Sequence, residues 1–128
     1  MFLGAVAAEA QKDRTDAVIA APSSHKVLLE NSRVRVLEVV IPPGMTEPAH
    51  THAWPSVMRF KSPQPLTYIT YADGAGKLSE LKRYEVPMGE VGQTQWGEPE
   101  GLHAVQNRGT TVFRAVRIEL KPTSPETR

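Results

Sequence analysis

The sequence contains no cysteine. That absence removes disulfides, cysteine-ligated zinc, iron–sulfur clusters and thiol nucleophiles together. Any bound metal must take its ligands from His, Asp, Glu, Asn, Gln or water. A basic run is missing too: the 15 lysines and arginines are scattered, and the formal net charge is +1. Nucleic-acid binding rests on a concentrated positive patch and is not expected. No apolar run is long enough to span a bilayer, so no membrane partner is expected either. Eleven prolines and nine glycines punctuate the chain and disfavour long helices. A Ser-His-Asp signature, a phosphate loop and a paired-carboxylate motif are all lacking.

What is present suits one compact domain of 128 residues. Short β-type runs alternate with turn chemistry: "HKVLLE" (25–30), "RVRVLEVVI" (33–41), "PSVMRF" (55–60), "LTYITY" (66–71), "KLSELKRYEV" (77–86), "QTQW" (93–96), "HAVQN" (103–107) and "TVFRAVRIEL" (111–120). Asp73-Gly74 is a hairpin signal between the fourth and fifth of these. About eight short strands at regular spacing predict an all-β sandwich or barrel. A helix is open only around residues 5–19. Residues 1–21 read as an N-terminal tail, 22–121 as the domain and 122–128 as a polar C-terminal tail. The apolar start "MFLGAVAAEA" has Ala-x-Ala patterns like the end of a signal peptide but no basic n-region. Two readings stay open: a cytoplasmic protein with a loose tail, or an exported, periplasmic one with a truncated signal.

Two strands have informative faces, since alternate residues share a side. In 33–41, Val34, Val36 and Val40 fall with Glu38, while Leu37, Val39 and Ile41 fall with Arg33 and Arg35. Both faces are apolar in the second half, the pattern of a strand covered twice, by the barrel interior and by a second sheet or subunit. A homodimer is the expectation. In 111–120, Arg114 shares parity with Val112, Val116, Ile118 and Leu120. It either lines the barrel and meets an anionic ligand, or is turned to solvent by a bulge.

The segment "GMTEPAHTHAWPSV" (44–57) carries the chemistry. In an extended chain His50 and His52 project to one side, and imidazole suits Zn, Fe, Ni, Cu or Mn. Alone, a His-x-His pair in a loop is as compatible with solvent as with a metal. His103 lies about fifty residues on, followed after three residues by Asn107. Gly44, five residues, His50 and His52, then Pro99, Gly101, His103 and Asn107, resemble the two motifs of the cupin superfamily, and the chain is similar to small bacterial single-domain cupins over roughly residues 25–121. The resemblance implies a cupin-type double-stranded β-helix, an antiparallel jelly-roll barrel, with His50, His52 and His103 holding a divalent ion (Zn, Fe, Mn, Ni or Cu). Asn107 is expected to hold its turn.

One departure stands out. The glutamate of the first motif would fall at Ser56 or Val57, neither of which replaces a carboxylate. Gln95, Glu98 and Glu38 are the substitutes to consider, with Glu47 taken as a turn residue. Trp54 and Trp96 bracket the histidine segments and either wall a substrate or cap the barrel mouth or an interface. Tyr68 and Met58 belong to the core or pocket wall. The expected function is a metal-binding cupin acting on a small organic molecule, of dioxygenase, isomerase or lyase type. The alternative is a non-catalytic ligand-binding, structural or sensing cupin with weak or no metal. Fold resemblance does not choose among these.

Overall fold

The computed structural model describes residues 14–74 and 76–123. The apolar start "MFLGAVAAEA", and with it the question of a signal remnant, lies outside the described residues, as do positions 124–128 of the C-terminal tail. The described residues include a short helix, α1 (Ala17–Ala20), and nine strands: β1 (His25–Glu30), β2 (Val34–Ile41), β3 (His50–His52), β4 (Ser56–Ser62), β5 (Leu66–Gly74), β6 (Lys77–Val86), β7 (Thr94–Gly97), β8 (Glu100–Asn107) and β9 (Phe113–Leu120). Each of the eight expected runs is a strand. The ninth is the His-x-His segment itself.

Two antiparallel sheets result, ordered β1-β2-β9-β4-β7 and β3-β8-β5-β6. From β2 to β5 the chain changes sheet at every strand, and it does so again from β6 to β9. Each half of the molecule therefore contributes to both walls, the jelly-roll arrangement. Turn chemistry sets the crossings. Gly44, after Pro42 and Pro43, adopts φ +77°, open to glycine at no steric cost. Its N–H donates to the Asn107 carbonyl at 2.8 Å. The fully buried Asn107 side chain donates to the carbonyls of Ile41 (2.9 Å) and Thr111 (2.8 Å) and accepts from Gly109 N–H (2.8 Å). It ties the end of β2 to the β8–β9 turn, the structural role expected of it. The β5–β6 ladder runs as far as Gly74 opposite Lys77, so the hairpin turn lies just past Asp73-Gly74, with Gly76 at φ +76°.

One core cluster joins Val39, Ile41, Phe113 and Ala115, with Met58, Phe60, Leu66 and Val105 packed against it; Leu37, Ile69 and Ala104 are buried as well. It settles the parity of the two diagnostic strands. In β2 the inward set is Arg35, Leu37, Val39 and Ile41; in β9 it is Phe113, Ala115, Arg117 and Glu119. Glu38 and Arg114 therefore point outward, where Arg114 Nη1 lies 3.8 Å from Glu38 Oε2. Neither reaches the barrel interior, which corrects their expected places as pocket residues. The cause is plain alternation along an unbroken β2–β9 register; the local bulge sits in β4, between Phe60 and Ser62.

The segment before β1 is bound to the barrel. Ala17 and Ala21 are fully buried, and Asp16 caps α1 through its side chain and bridges to Thr51 of β3. Both Asp16 oxygens accept from the Arg35 guanidinium, each at 2.9 Å, a two-point contact with strong orientation.

Candidate metal centre

All four histidines of the chain meet at one place. β3 supplies His50 and His52, and β8 sets His103 opposite His50 in the ladder. His25, at the start of β1, is the fourth. Ring centroids are 4.4 Å apart for His50–His103, 4.5 Å for His25–His50, 4.9 Å for His50–His52 and 5.5 Å for His52–His103. All four are buried, and all line a single cavity of about 370 Å³.

Each ring has its Nδ1 atom committed. His50 Nδ1 is 2.8 Å from the Pro48 carbonyl, His103 Nδ1 2.7 Å from that of Gly101, and His25 Nδ1 3.1 Å from that of Ala21. His52 Nδ1 is 2.9 Å from Glu119 Oε2. Carbonyls and carboxylates only accept, so in each neutral ring the proton sits on Nδ1 and the lone pair on Nε2. This arrangement fixes the tautomer that a metal-ligating histidine needs. Burial holds the rings neutral. It pushes His25 down to about 4, and His50 to about 2 with help from the neighbouring His103 and His25. His52 and His103 are lowered for the same first reason. His50 Nε2 is buried with no hydrogen-bond partner.

Two carboxylates join the histidines. Glu47 is 7% exposed, with Oε2 at 3.7 Å from His50 Nε2, and it accepts from Ser24 Oγ (2.9 Å) and Val105 N–H (3.1 Å). Burial pushes it up to about 8, so without a cation it is protonated at neutral pH. It is a wall of the site rather than a turn residue. Glu100 Oε1 lies 3.5 Å from His103 Nε2 and accepts from Tyr68 Oη at 2.5 Å; Oε2 accepts from Arg117 Nη2 at 2.7 Å. Burial alone would raise Glu100, but His103, Arg117 and the Tyr68 bond outweigh it and hold it at about 2. Tyr68 in turn stacks flat on His103, 6° from parallel. Three overlapping trios have their donor atoms within 4.8 Å of one another: His25, His50 and His52; Glu47, His50 and His103; His52, Glu100 and His103. Each of the three motif histidines belongs to two of them.

No protein-family model and no curated protein matches the sequence. Solved structures do. A cupin domain from Bordetella pertussis superposes with a TM-score of 0.58 at 24% identity, over 77% of this chain and 92% of that one. An RmlC-like cupin family protein with a double-stranded β-helix fold, from Methanocaldococcus jannaschii, superposes at 0.54 with 13% identity, over 76% and 78%. The chain has the cupin fold.

Within the cupin barrel the remaining expected residues separate. Met58 and Tyr68 line the cavity, as do Gln95 and Glu98 near its mouth. Glu98 accepts from Trp96 Nε1 at 2.5 Å and belongs to none of the trios. Trp96 is 54% exposed and outside the cavity lining. Trp54 also lies outside it, beneath the Arg35 guanidinium (5.0 Å) and the Lys121 ammonium (5.4 Å). Both tryptophans are thus corrected from pocket wall to surface contacts. Of Ser56 and Val57, where the motif glutamate would fall, Ser56 points inward: it is fully buried, and its Oγ has no partner. Sequence reasoning missed His25, Glu47, Glu100, Arg117 and Glu119. The alternate positions of β9 and the start of β8 carried the signal for three of them.

Proposed function

We propose that the protein is a metal-binding cupin in which His50, His52 and His103 hold a divalent ion, with a small organic molecule bound in the cavity beside it. One observation carries the reading. Four buried, neutral imidazoles converge with every Nδ1 tied to an acceptor, and His50 Nε2 is buried without a partner. A buried lone pair without a donor is costly, and a cation relieves it. Glu100 is the best-placed carboxylate to take over from the motif glutamate absent at Ser56. His25 lies within reach as a further nitrogen donor.

When bound, the ion supplies Lewis acidity toward substrate oxygens, or toward dioxygen if it is iron. The chain's own residues then have defined parts. Glu119 and the carbonyls of Pro48 and Gly101 orient the rings. Glu47, with Oε2 3.7 Å from His50 Nε2 and raised by burial in the metal-free site, is the carboxyl placed to exchange a proton there. Tyr68 covers His103 and excludes water from that side. A dioxygenase, isomerase or lyase activity fits this set. A second reading, a non-catalytic ligand-binding or sensing cupin, is favoured by the loss of the motif carboxylate at Ser56 and the cation of Arg117 next to it.

Metal analysis of untagged protein beside the His50→Ala/His52→Ala double variant separates them. A near-stoichiometric metal that is lost in the variant supports the first reading, and its identity narrows the chemistry. Absence of metal in both proteins, even after reconstitution, overturns it. The same reading includes a homodimer. Edge strand β1 exposes Val27, Leu28 and Leu29 at 41%, 51% and 52%, an apolar edge suited to a second copy. Sedimentation as a monomer at high concentration would refute that part.

A further inference from the structure

The cavity has two chemically different halves. Imidazoles, Glu47 and Glu100 form one. The other is apolar, built by Ile41, Phe60, Leu66, Val105 and Phe113, so much of the hydrophobic core is also pocket wall. A volume of about 370 Å³ suits a small organic ligand that keeps its polar end at the first half.

Arg117 marks what that polar end is. It projects inward from β9, is 4% exposed, and lines the cavity. A guanidinium carries five N–H donors. Here Nη2 donates to Glu100 at 2.7 Å, Nη1 reaches only the soft Met58 Sδ at 3.5 Å, and Nε is buried without a partner. Glu119 Oε2 lies 3.8 Å from Nε and already accepts from His52; Glu119 Oε1 accepts from Arg35 at 2.6 Å. Arg117 is therefore a buried cation with hydrogen bonds left to make. The unpartnered Ser56 Oγ and the Arg117 guanidinium both lie against Gly97. A Cβ at Gly97 would sit 3.2 Å from Ser56 Oγ and 4.0 Å from Arg117 Nη2.

Charge points the same way. Glu100 balances one positive charge by pairing with Arg117; a divalent ion on the histidines would add two more, and Ser56 offers no second carboxylate. We propose that this cavity binds a small organic carboxylate with an apolar body, its carboxylate on Arg117 and its body between Ile41, Phe60, Leu66 and Phe113. Arg117 selects charge by planar, two-point recognition. The apolar half selects size and hydrophobicity. The proposal names the ligand class of the site described above and rests on that reading only for the neighbouring ion.

Three probes isolate the two halves: phenylacetate, its neutral analogue phenylacetamide, and acetate. Calorimetric titration of the full chain, metal-free and zinc-loaded, should show phenylacetate binding at least tenfold tighter than either of the others. Arg117→Met should bring phenylacetate down to the level of phenylacetamide and leave phenylacetamide unchanged. Equal affinity for the acid and the amide, or an Arg117→Met variant that keeps the preference, overturns the proposal. If Arg117→Met does not fold, Arg117→Lys decides. Selective weakening of phenylacetate supports the assignment, and equal loss of, or no change in, both probes overturns it. Failure of the metal reading is distinguishable. Protein that takes up no zinc yet prefers phenylacetate through Arg117 leaves this inference standing; zinc-loaded protein without the preference removes this inference alone.

Discussion

Replacing Glu119 by Gln tests the logic of the site at its most buried point. Glu119 is fully buried and accepts from Arg35 Nε at 2.6 Å on one oxygen and from His52 Nδ1 at 2.9 Å on the other. Glutamine keeps the shape but has one acceptor oxygen and one NH₂ group, so it cannot accept from both neighbours. Two costs follow. Removing one partner of a buried ion pair costs about 3–5 kcal/mol. The lower end, about 3 kcal/mol, applies here because Arg35 retains both oxygens of Asp16 and the amide keeps one acceptor. The second cost falls on His52. If the amide turns its oxygen to Arg35, its NH₂ faces His52 Nδ1, and that nitrogen must then accept. The proton moves to Nε2, and the lone pair offered to a metal is lost. Loss of such an orienting partner typically weakens metal binding roughly ten- to a hundredfold. Urea denaturation of the metal-free protein measures the first effect, and zinc titration against a chromophoric chelator the second. Heteronuclear spectra report the His52 tautomer directly. Unchanged stability together with unchanged zinc affinity would refute the reasoning, because a fully buried carboxylate between Arg35 and His52 cannot be neutral on both counts.

Acid should destabilise the metal-free protein. The four histidines have lowered values in the fold, His25 to about 4 and His50 to about 2, so the unfolded chain takes up protons below about 6.5 while the folded one does not. Glu47, raised to about 8, works in the opposite sense between there and its ordinary value. Unfolding near pH 5 therefore takes up protons net, the lowered histidines outweighing the one proton that Glu47 gives up, and stability falls as pH drops from 7 to 5. A thermal midpoint that is flat over this window would contradict the burial of the cluster. Asn107→Ala removes three hydrogen bonds from a fully buried position and should cost about 2–4 kcal/mol in denaturant unfolding, with a loss below 1 kcal/mol contradicting its role as a clamp.

The fold was legible where side-chain shape and turn chemistry agree. β2 follows from its β-branched run and the Pro-Pro-Gly stop, and the β5–β6 hairpin from its glycines. The histidine segments were legible as well, because spacing within a strand fixes side-chain direction. What misled was the rule that apolar parity faces inward. In β9 the apolar set Val116, Ile118 and Leu120 faces out, and the inward set contains Arg117 and Glu119. A barrel whose interior is a polar site inverts the usual alternation at that end and keeps it at the other, where Phe113 and Ala115 face the core. The same inversion hid Arg35. His25 stood alone in a strand with no spacing partner. Glu47 resembled any turn carboxylate, and only its contacts with Ser24 and Val105 from distant parts of the chain reveal its burial. Glu100 and Glu98 are two residues apart in one loop. The choice between them depends on where β8 begins, and it begins at Glu100.

The gathering of every imidazole into one cavity gives the molecule a silent background. His25, His50, His52 and His103 account for all the histidines in the chain, so each imidazole resonance in its spectrum originates from the cluster. A paramagnetic ion seated there would broaden all four together, whereas an ion held elsewhere would leave them sharp. With no thiol in the sequence, a single cysteine introduced on an outer strand would be the one attachment point for a spin label, and its distance to the cluster would be read without competition from any native group.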